Sequence, residues 1–228
     1  MGACVGIVGG LGVGATIHYY ERITAACAGR GVVPDLVFVH ADANQGQGFV
    51  RAGRLDQLAD YLAGFIDRLG RAGADVAVMP AVTPHIALAE TLTRTKVPIL
   101  SIFEPLAAAV RARKLRRVAL FGTIFTMQGS LWGALNDVEI VKAQPAEMAF
   151  VGEAYQRILD GKTLPDDADG LRRIARELAR RDGVECILLA GTDLAVMFKD
   201  EAAAGFPCLD VAQVHIDAIV EKLCAQKT

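Results

Sequence analysis

The sequence predicts an α/β protein of two similar lobes, each a mainly parallel sheet flanked by helices, with a ligand cleft between the lobes. Short apolar runs that end at Gly, Asp or Pro alternate with longer stretches of helical periodicity. Buried strands that alternate with helices need right-handed crossovers, which make the strands parallel. A weak internal repeat supports two lobes, since residues 119–123 echo residues 5–10 and residues 187–192 echo residues 77–83.

The apolar runs predict strands, and the helical patterns predict the helices between them. The predicted strands are residues 4–8, 36–40, 76–79, 99–102, 118–121, 138–142, 186–189 and 207–209. The predicted helices are residues 16–28, 55–72, 105–112, 153–159, 171–181 and 211–225. In residues 55–72 the leucines and other apolar residues recur mostly at spacings of three and four, which is typical of a helix with one buried face.

The boundary between the lobes is predicted near the helix that begins at Pro105. The first lobe is expected to comprise residues 1–104 and 208–228, because the last helix can pack back on it, and the second lobe residues 105–207. Open α/β sheets bind ligands at the carboxyl ends of their strands. Residues that follow the strands are therefore the candidate binding and catalytic residues.

The composition excludes several classes of function. The 228 residues are 53% hydrophobic and carry a formal net charge of −2, so the chain lacks the basic field expected of nucleic-acid or membrane-surface binding. No run approaches the roughly 18 apolar residues of a membrane span, and the amino terminus lacks the basic region of a signal peptide. The five cysteines are scattered without a C-x-x-C pair, which favours a reduced, cytoplasmic protein.

A glycine loop follows the first predicted strand. Residues 9–16 read G-G-L-G-V-G-A-T, and Gly10 opens a G-x-G-x-x-A pattern before a helix. Asp42, near the end of the next strand, lies where a dinucleotide fold places its ribose-binding acid. Three interpretations stay open: NAD binding, a tight structural turn, or a helix amino terminus that captures a substrate carboxylate.

Three further strand ends carry hydroxyl groups that could bind a carboxylate. The alternative is that Thr83, Thr123, Thr126 and Asp193 only cap the helices that follow, and that His85 lies on a helix surface. No phosphate-binding P-loop pattern accompanies them, and the four histidines lack metal-ligand spacing, so we expect no metal. The residues concerned are Thr83 and His85, Thr123 and Thr126, and Thr192 and Asp193.

These loops resemble the motifs of the aspartate/glutamate racemase family, in the same order along nearly the whole chain. Residues 9–20 resemble the family's G-G-M-G-P-x-A-T-x-x-x-Y opening, and residues 80–85 its P-C-N-T-x-H loop. Residues 101–104 resemble S-I-V-E, and residues 122–129 resemble a G-T-x-x-T loop. Residues 189–194 resemble L-G-C-T-E-L, and residues 209–210 the I-D before the last helix.

The resemblance implies racemisation without pyridoxal phosphate, in which one cysteine thiolate removes the Cα proton and a second returns one. Ala81 stands at the first cysteine position and Gly191 at the second. Neither side chain can accept a proton, so two-cysteine racemisation is not expected. Cysteines placed at both positions together are expected to create weak racemase activity, whereas either one alone is not.

The residues that hold a substrate in this family are largely retained. The resemblance implies carboxylate binding by threonines and by an arginine in the loop of residues 42–54, and no cofactor. Val82 replaces the family's asparagine. The implied substrate-binding residues are Gly10, Leu11, Arg51 or Arg54, Val82, Thr83, Thr123, Thr126 and Thr192.

Two hypotheses for function remain. In the first, the protein is a racemase, isomerase or lyase acting on a small amino acid or carboxylate through other acid/base groups. In the second, it is a catalytically silent relative that binds a small carboxylate or a protein partner. The resemblance also implies a homodimer. The candidate proton-transfer residues are Asp42, His40, Glu104, His85 and Asp193.

Overall fold

The computed structural model describes residues 2–198 and 201–225. It divides the chain into two compact units, Met1–Ile102 with Gln213–Thr228 (unit 1) and Phe103–Ala212 (unit 2). The sequence placed the boundaries after residues 104 and 207. The second boundary differs because the last strand, predicted to follow it in the first lobe, pairs with a strand of unit 2.

Unit 1 is a three-stranded parallel sheet in the order β2-β1-β3, flanked by helices. Gly6 lets a helix pack closely on β1, since a Cβ atom there would lie 2.9 Å from side-chain atoms of Leu69 and Ala74. The elements are β1 (Val5–Gly9), α1 (Val13–Ala28), β2 (Leu36–His40), α2 (Ala43–Arg51), α3 (Leu55–Arg71), β3 (Val76–Val78), a 3₁₀ helix (Thr83–Ala87), α4 (Leu88–Leu92) and, from Gln213 onward, the helix Val211–Cys224.

Unit 2 is a four-stranded parallel sheet in the order β5-β4-β6-β7 with its own helices. The predicted class, parallel sheets flanked by helices, is thus confirmed. The elements are α5 (Phe103–Ala112), β4 (Arg117–Phe121), α6 (Ile124–Gly129), a 3₁₀ helix (Ser130–Gly133), β5 (Glu139–Val141), α7 (Pro145–Leu159), α8 (Asp167–Asp182), β6 (Cys186–Leu189), α9 (Leu194–Met197), α10 (Glu201–Ala204) and β7 (Cys208–Asp210); the helix Val211–Cys224 is α11.

The prediction of a strand over residues 99–102 was wrong. Only Ile99 forms a parallel bridge, with Ala77 of β3. The Ala77 N–H donates to the Pro98 carbonyl at 2.8 Å, and Ala77 accepts from the Leu100 N–H at 2.9 Å. After these bonds the chain leaves the sheet edge, and helix α5 begins at Phe103.

The largest differences from the helices predicted by the sequence concern α2 and α7. The segment 42–54, predicted as a loop, contains α2, because Asp42 caps its first turn and Gly46 and Val50 are buried on its inner face. Helix α7 begins at Pro145, eight residues before the predicted start at residue 153. Its first turn is closed by the Glu147 carboxylate, which accepts from the Gln144 N–H at 2.9 Å.

No helix among residues 2–198 and 201–225 combines the length and the apolar character needed to cross a bilayer.

Candidate functional site

The glycine loop of unit 1 is a tight turn closed by its own side chains. Gly10 has a φ of 84°, in the left-handed region that favours glycine. A Cβ atom on Gly10 would lie 2.8 Å from Cε1 of His40, so the absence of a side chain lets the loop pack against β2. The Thr16 hydroxyl accepts from the Gly10 N–H at 3.1 Å and donates to the Gly12 carbonyl at 2.7 Å. Packing alone therefore accounts for the glycine, without a nucleotide.

His40 and Asp42 lie at the carboxyl end of β2, beside this loop, and both are exposed. The Asp42 carboxylate accepts from the Asn44 N–H at 2.8 Å and caps α2. The Tyr61 hydroxyl accepts from the Asp42 N–H at 2.7 Å and donates to the Asp42 carbonyl at 3.0 Å. Asp42 therefore has a structural role, whereas His40 presents its ring at a strand end next to Gly10.

The predicted carboxylate-binding arginines lie at helix ends in unit 1. Arg51 is the last residue of α2, and its guanidinium lies 3.4 Å from the Gln47 side-chain oxygen. Arg54 directly precedes α3. Both side chains are exposed, so neither is part of the core.

The loop after β3 places the first cysteine position, Ala81, among buried residues. Ala81 and Val82 are buried, and Thr83 begins the 3₁₀ helix. The His85 ring is buried: its Nδ1–H donates to the Ala81 carbonyl at 2.9 Å, and its Nε2 accepts from the Ile102 N–H at 3.4 Å. Since a carbonyl can only accept, this tautomer is fixed. His85 therefore holds the loop in place, and no titratable side chain stands at residue 81.

A second buried histidine of unit 1, His215, also makes two hydrogen bonds in the core. The His215 ring on α11 donates from Nε2 to the Leu100 carbonyl at 3.0 Å and accepts at Nδ1 from the Tyr19 hydroxyl at 3.1 Å. Burial lowers the pKa of His85 to about 4 and that of His215 to about 3. Both rings are therefore neutral near pH 7 and serve as hydrogen-bonded core residues.

These two histidines predict a loss of stability in mild acid. Below pH 6.5 the unfolded chain binds protons that folded His85 and His215 do not, until the pH reaches about 4 and about 3. As the pH decreases below 6.5, the free energy of unfolding should therefore decrease by about 1.4 kcal/mol per pH unit for each histidine. Urea unfolding at several pH values between 7.5 and 4.5 measures this slope.

A matched pair of variants isolates the histidine contribution. His215→Gln should flatten the pH dependence, whereas His40→Gln, which alters an exposed histidine, should leave the slope unchanged. If the free energy of unfolding depends on pH equally in native protein and in His215→Gln, groups other than His215 cause the loss of stability in acid.

In unit 2 the ends of β4 and β6 approach closely. The Gly191 N–H donates to the Phe121 carbonyl at 2.9 Å, and a Cβ atom on Gly122 would lie 3.0 Å from the Gly191 nitrogen. The Thr123 side chain caps α6 by accepting from the Thr126 N–H at 3.1 Å, and the two hydroxyl oxygens lie 3.0 Å apart. The loops that follow β4 and β6 are therefore in contact at Gly122 and Gly191.

The second cysteine position, Gly191, is covered by a tyrosine ring that sequence reasoning missed. Tyr155 lies on α7, and a Cβ atom on Gly191 would lie 2.7 Å from its Cζ and 2.8 Å from its Cδ2. The Tyr155 hydroxyl donates to the Asp193 carboxylate at 3.2 Å. Thr192, Asp193 and Tyr155 are all buried. A cysteine at 191 cannot be accommodated while this ring keeps its place, which revises the expectation for the double-cysteine variant.

The last candidate, Glu104, lies in the first turn of α5 in unit 2 with an exposed side chain. None of the five cysteines falls in the loops of residues 80–85 or 189–194. Within the described part of the chain, no three His, Cys, Asp or Glu side chains are grouped as a metal would require.

Comparison with known proteins places this geometry in one family. The family model for Asp/Glu/hydantoin racemases matches residues 8–219. A solved candidate Asp/Glu racemase from Yersinia pestis is similar with a TM-score of 0.84 at 22% identity, covering 98% of this chain and 100% of that one. An aspartate racemase homologue from Pyrococcus horikoshii gives 0.77 at 22% identity over 96% and 98%. The Picrophilus torridus aspartate racemase gives 0.73 at 20% over 96% and 94%.

Proposed function

Because the chain belongs to the Asp/Glu/hydantoin racemase family, we propose that it moves a proton at the carbon next to the carboxylate of a small amino acid or carboxylate, without a thiol. Racemisation, isomerisation and elimination by a lyase all begin with this step. The observation that carries the proposal is the cluster at the end of β6. Gly191 offers no titratable group there, but the buried carboxylate of Asp193 lies two residues further on.

Asp193 is the residue we assign to proton transfer in unit 2. Its side chain is buried and receives a hydrogen bond from Tyr155. Removing a carboxylate from water is costly, and such a group is typical of functional sites when it lies at the end of a parallel strand. Asp193 also lies in the loop after β6, residues 189–194, which resembles the family's second catalytic loop.

The carboxylate of the substrate is assigned to hydroxyl and backbone groups at the strand ends. Thr192 is buried beside Asp193, and Thr123 and Thr126 lie at the neighbouring β4 end. In unit 1, Thr83, with Gly10 and Leu11 of the glycine loop, is proposed as a separate group of carboxylate-binding residues. Arg51 or Arg54 would supply the positive charge, since guanidinium groups bind carboxylates in a bidentate manner.

His40 and Glu104 remain proposed alternatives to Asp193, since both are exposed titratable residues near strand ends or helix starts. Asp42 is a weaker candidate because its carboxylate caps α2.

A silent carboxylate binder is the second candidate function. It is favoured by one specific observation, the absence of a proton acceptor at both positions 81 and 191. In this case Asp193 would contribute only to ligand binding or to the stability of the fold. Calorimetry with small mono- and dicarboxylates, together with an exchange experiment, distinguishes the two functions.

Proton exchange tests the proposal directly. We expect native protein to replace the α-proton of at least one compound, in a panel of amino and hydroxy acids in D2O, with deuterium, as followed by NMR. Asp193→Asn should slow this exchange about 100- to 10,000-fold, the usual contribution of a general base.

The control is Asp166→Asn, which changes an exposed aspartate before α8 and should exchange at the native rate. Parallel variants His40→Gln and Glu104→Gln test the alternatives. Binding of a carboxylate by native protein without any exchange would favour the silent binder.

A homodimer in the cytoplasm that needs no cofactor completes the proposal, by analogy with the family. Light scattering of the purified protein tests the dimer.

A further inference from the structure

Tyr155 fills the volume that a side chain on residue 191 would need. Tyr155 is 6% exposed and lies on α7, whose first turn is fixed by the capping bond between Gln144 and Glu147. A Cβ atom on Gly191 would lie within 2.8 Å of three ring atoms of Tyr155, which leaves no space for even one methyl group. The ring is also held by the hydrogen bond of its hydroxyl to Asp193.

The Tyr155 hydroxyl is a hydrogen-bond donor that keeps its proton. Burial, followed by the charge of Asp193, raises the pKa of Tyr155 well above its usual value of 10, although hydrogen bonds from Thr192 and the Asp193 backbone act in the opposite direction. The Tyr155 hydroxyl oxygen lies 3.2 Å from Oδ2 of Asp193, to which it donates its hydrogen bond. This bond orients one oxygen of the Asp193 carboxylate.

We infer that Tyr155 is the positioning residue of the unit 2 site: its ring excludes a side chain at residue 191, and its hydroxyl fixes the carboxylate of Asp193. The inference rests on the proposed function for the assignment of Asp193 as the proton acceptor. It adds the reason why a carboxylate, and not a thiol, performs the transfer at this strand end.

The step that Tyr155 supports transfers one proton from the substrate to Asp193 and involves no oxidation or reduction. The C–H bond next to the substrate carboxylate breaks, its electron pair stays on that carbon, and the proton forms an O–H bond on the Asp193 carboxylate. Asp193 becomes a neutral acid and can return the proton in the reverse step. The O–H bond of Tyr155 is not broken, so Tyr155 acts only through Asp193.

Two conservative variants separate positioning from packing. Tyr155→Phe keeps the ring and removes the hydroxyl. The matched control Tyr19→Phe removes a buried hydroxyl of unit 1, which bonds to His215 at 3.1 Å. We expect exchange in Tyr155→Phe to fall about tenfold or more through kcat, with KM little changed and the acid limb of the pH profile displaced. Tyr19→Phe should exchange at the native rate and with the native pH profile.

A spectroscopic measurement tests the contact without any substrate. With 13C-labelled tyrosine, the Tyr155 Cζ signal is assigned by its loss in Tyr155→Phe. Asp193→Asn should shift that signal and leave the Tyr19 signal in place. Full native exchange in Tyr155→Phe, or a Tyr155 signal unmoved by Asp193→Asn, overturns the inference.

Failure of the proposed function is recognised separately. If native protein exchanges no acid in the panel, proton transfer is refuted, and the 13C signal alone then decides whether Tyr155 holds Asp193.

Discussion

Gly191→Cys is expected to lower the free energy of unfolding by about 1–3 kcal/mol, the usual cost of overpacking a filled core. The new Cβ and Sγ atoms would collide with the Tyr155 ring, which is itself held by Asp193. Urea unfolding of the variant and of native protein measures the difference.

A double-mutant cycle attributes this cost to Tyr155. Tyr155→Ala removes the ring and should itself destabilise by about 3–5 kcal/mol through the cavity it leaves. In that background Gly191→Cys should cost little or even stabilise, because the cysteine enters the vacated space. Equal costs in both backgrounds would contradict the clash. The control Gly64→Cys, at an exposed helical glycine with open space around it, should change stability by no more than about 0.5 kcal/mol.

The same clash changes the requirement for thiol chemistry in this chain. Cysteines at residues 81 and 191 are expected to give racemase activity only when Tyr155 is also replaced by a small residue. The double variant that keeps Tyr155 should have none, which an assay for racemisation of aspartate and glutamate measures.

Asp167→Ala is expected to destabilise the protein by about 3 kcal/mol, because it breaks a largely buried ion pair and leaves Arg157 with only the more distant, exposed Glu153 carboxylate as an acidic partner. The Asp167 carboxylate accepts from Nη2 of Arg157 at 2.6 Å and from the Leu164 N–H at 2.8 Å, so it joins α7 to the start of α8. The Arg157 hydrogen bond holds the pKa of Asp167 below its usual range, so the carboxylate is charged near pH 7.

The other acidic neighbour of Arg157 provides the control. The Glu153 carboxylate lies 3.9 Å from Arg157 and its side chain is 71% exposed. Glu153→Ala should change the free energy of unfolding by no more than about 0.5 kcal/mol. A similar loss in the two variants would mean that Arg157 itself, and not its pairing with Asp167, stabilises this region. Urea unfolding of both variants decides the point.

Most strands could be predicted from the sequence because parallel strands buried on both faces leave continuous apolar runs. Residues 186–189, which are buried throughout, were predicted with the observed bounds. Residues 36–40 were also predicted with the observed bounds, although this apolar run forms the partly exposed edge strand β2. The segment 99–102 has the same apolar character, but its pairing ends after one bridge, which depends on tertiary contacts that no local pattern records.

Helix α2 was missed because its composition opposes it. Its segment contains two glycines and two glutamines, and only Gly46 and Val50 are buried. The helix depends on the Asp42 cap and on the hydrogen bond between Asp42 and Tyr61. Tyr61 lies 19 residues further along the chain, so this contact leaves no local pattern in the sequence.

At the site, the strand-end residues were predicted from motifs, but their partners were not. Thr192 and Asp193 belong to a recognisable loop. Tyr155 lies 36 residues before Gly191 in a helix whose pattern resembles any other half-buried helix. Only the structure brings its ring onto the glycine and its hydroxyl onto the carboxylate.

The central claim, proton transfer without a thiol, is tested most directly by α-proton exchange in D2O after alkylation of accessible cysteines with iodoacetamide. Any catalytic thiol must be reachable by substrate and therefore by the reagent. We predict that exchange survives alkylation and is lost in Asp193→Asn. Exchange that disappears on alkylation and persists in Asp193→Asn would contradict the account.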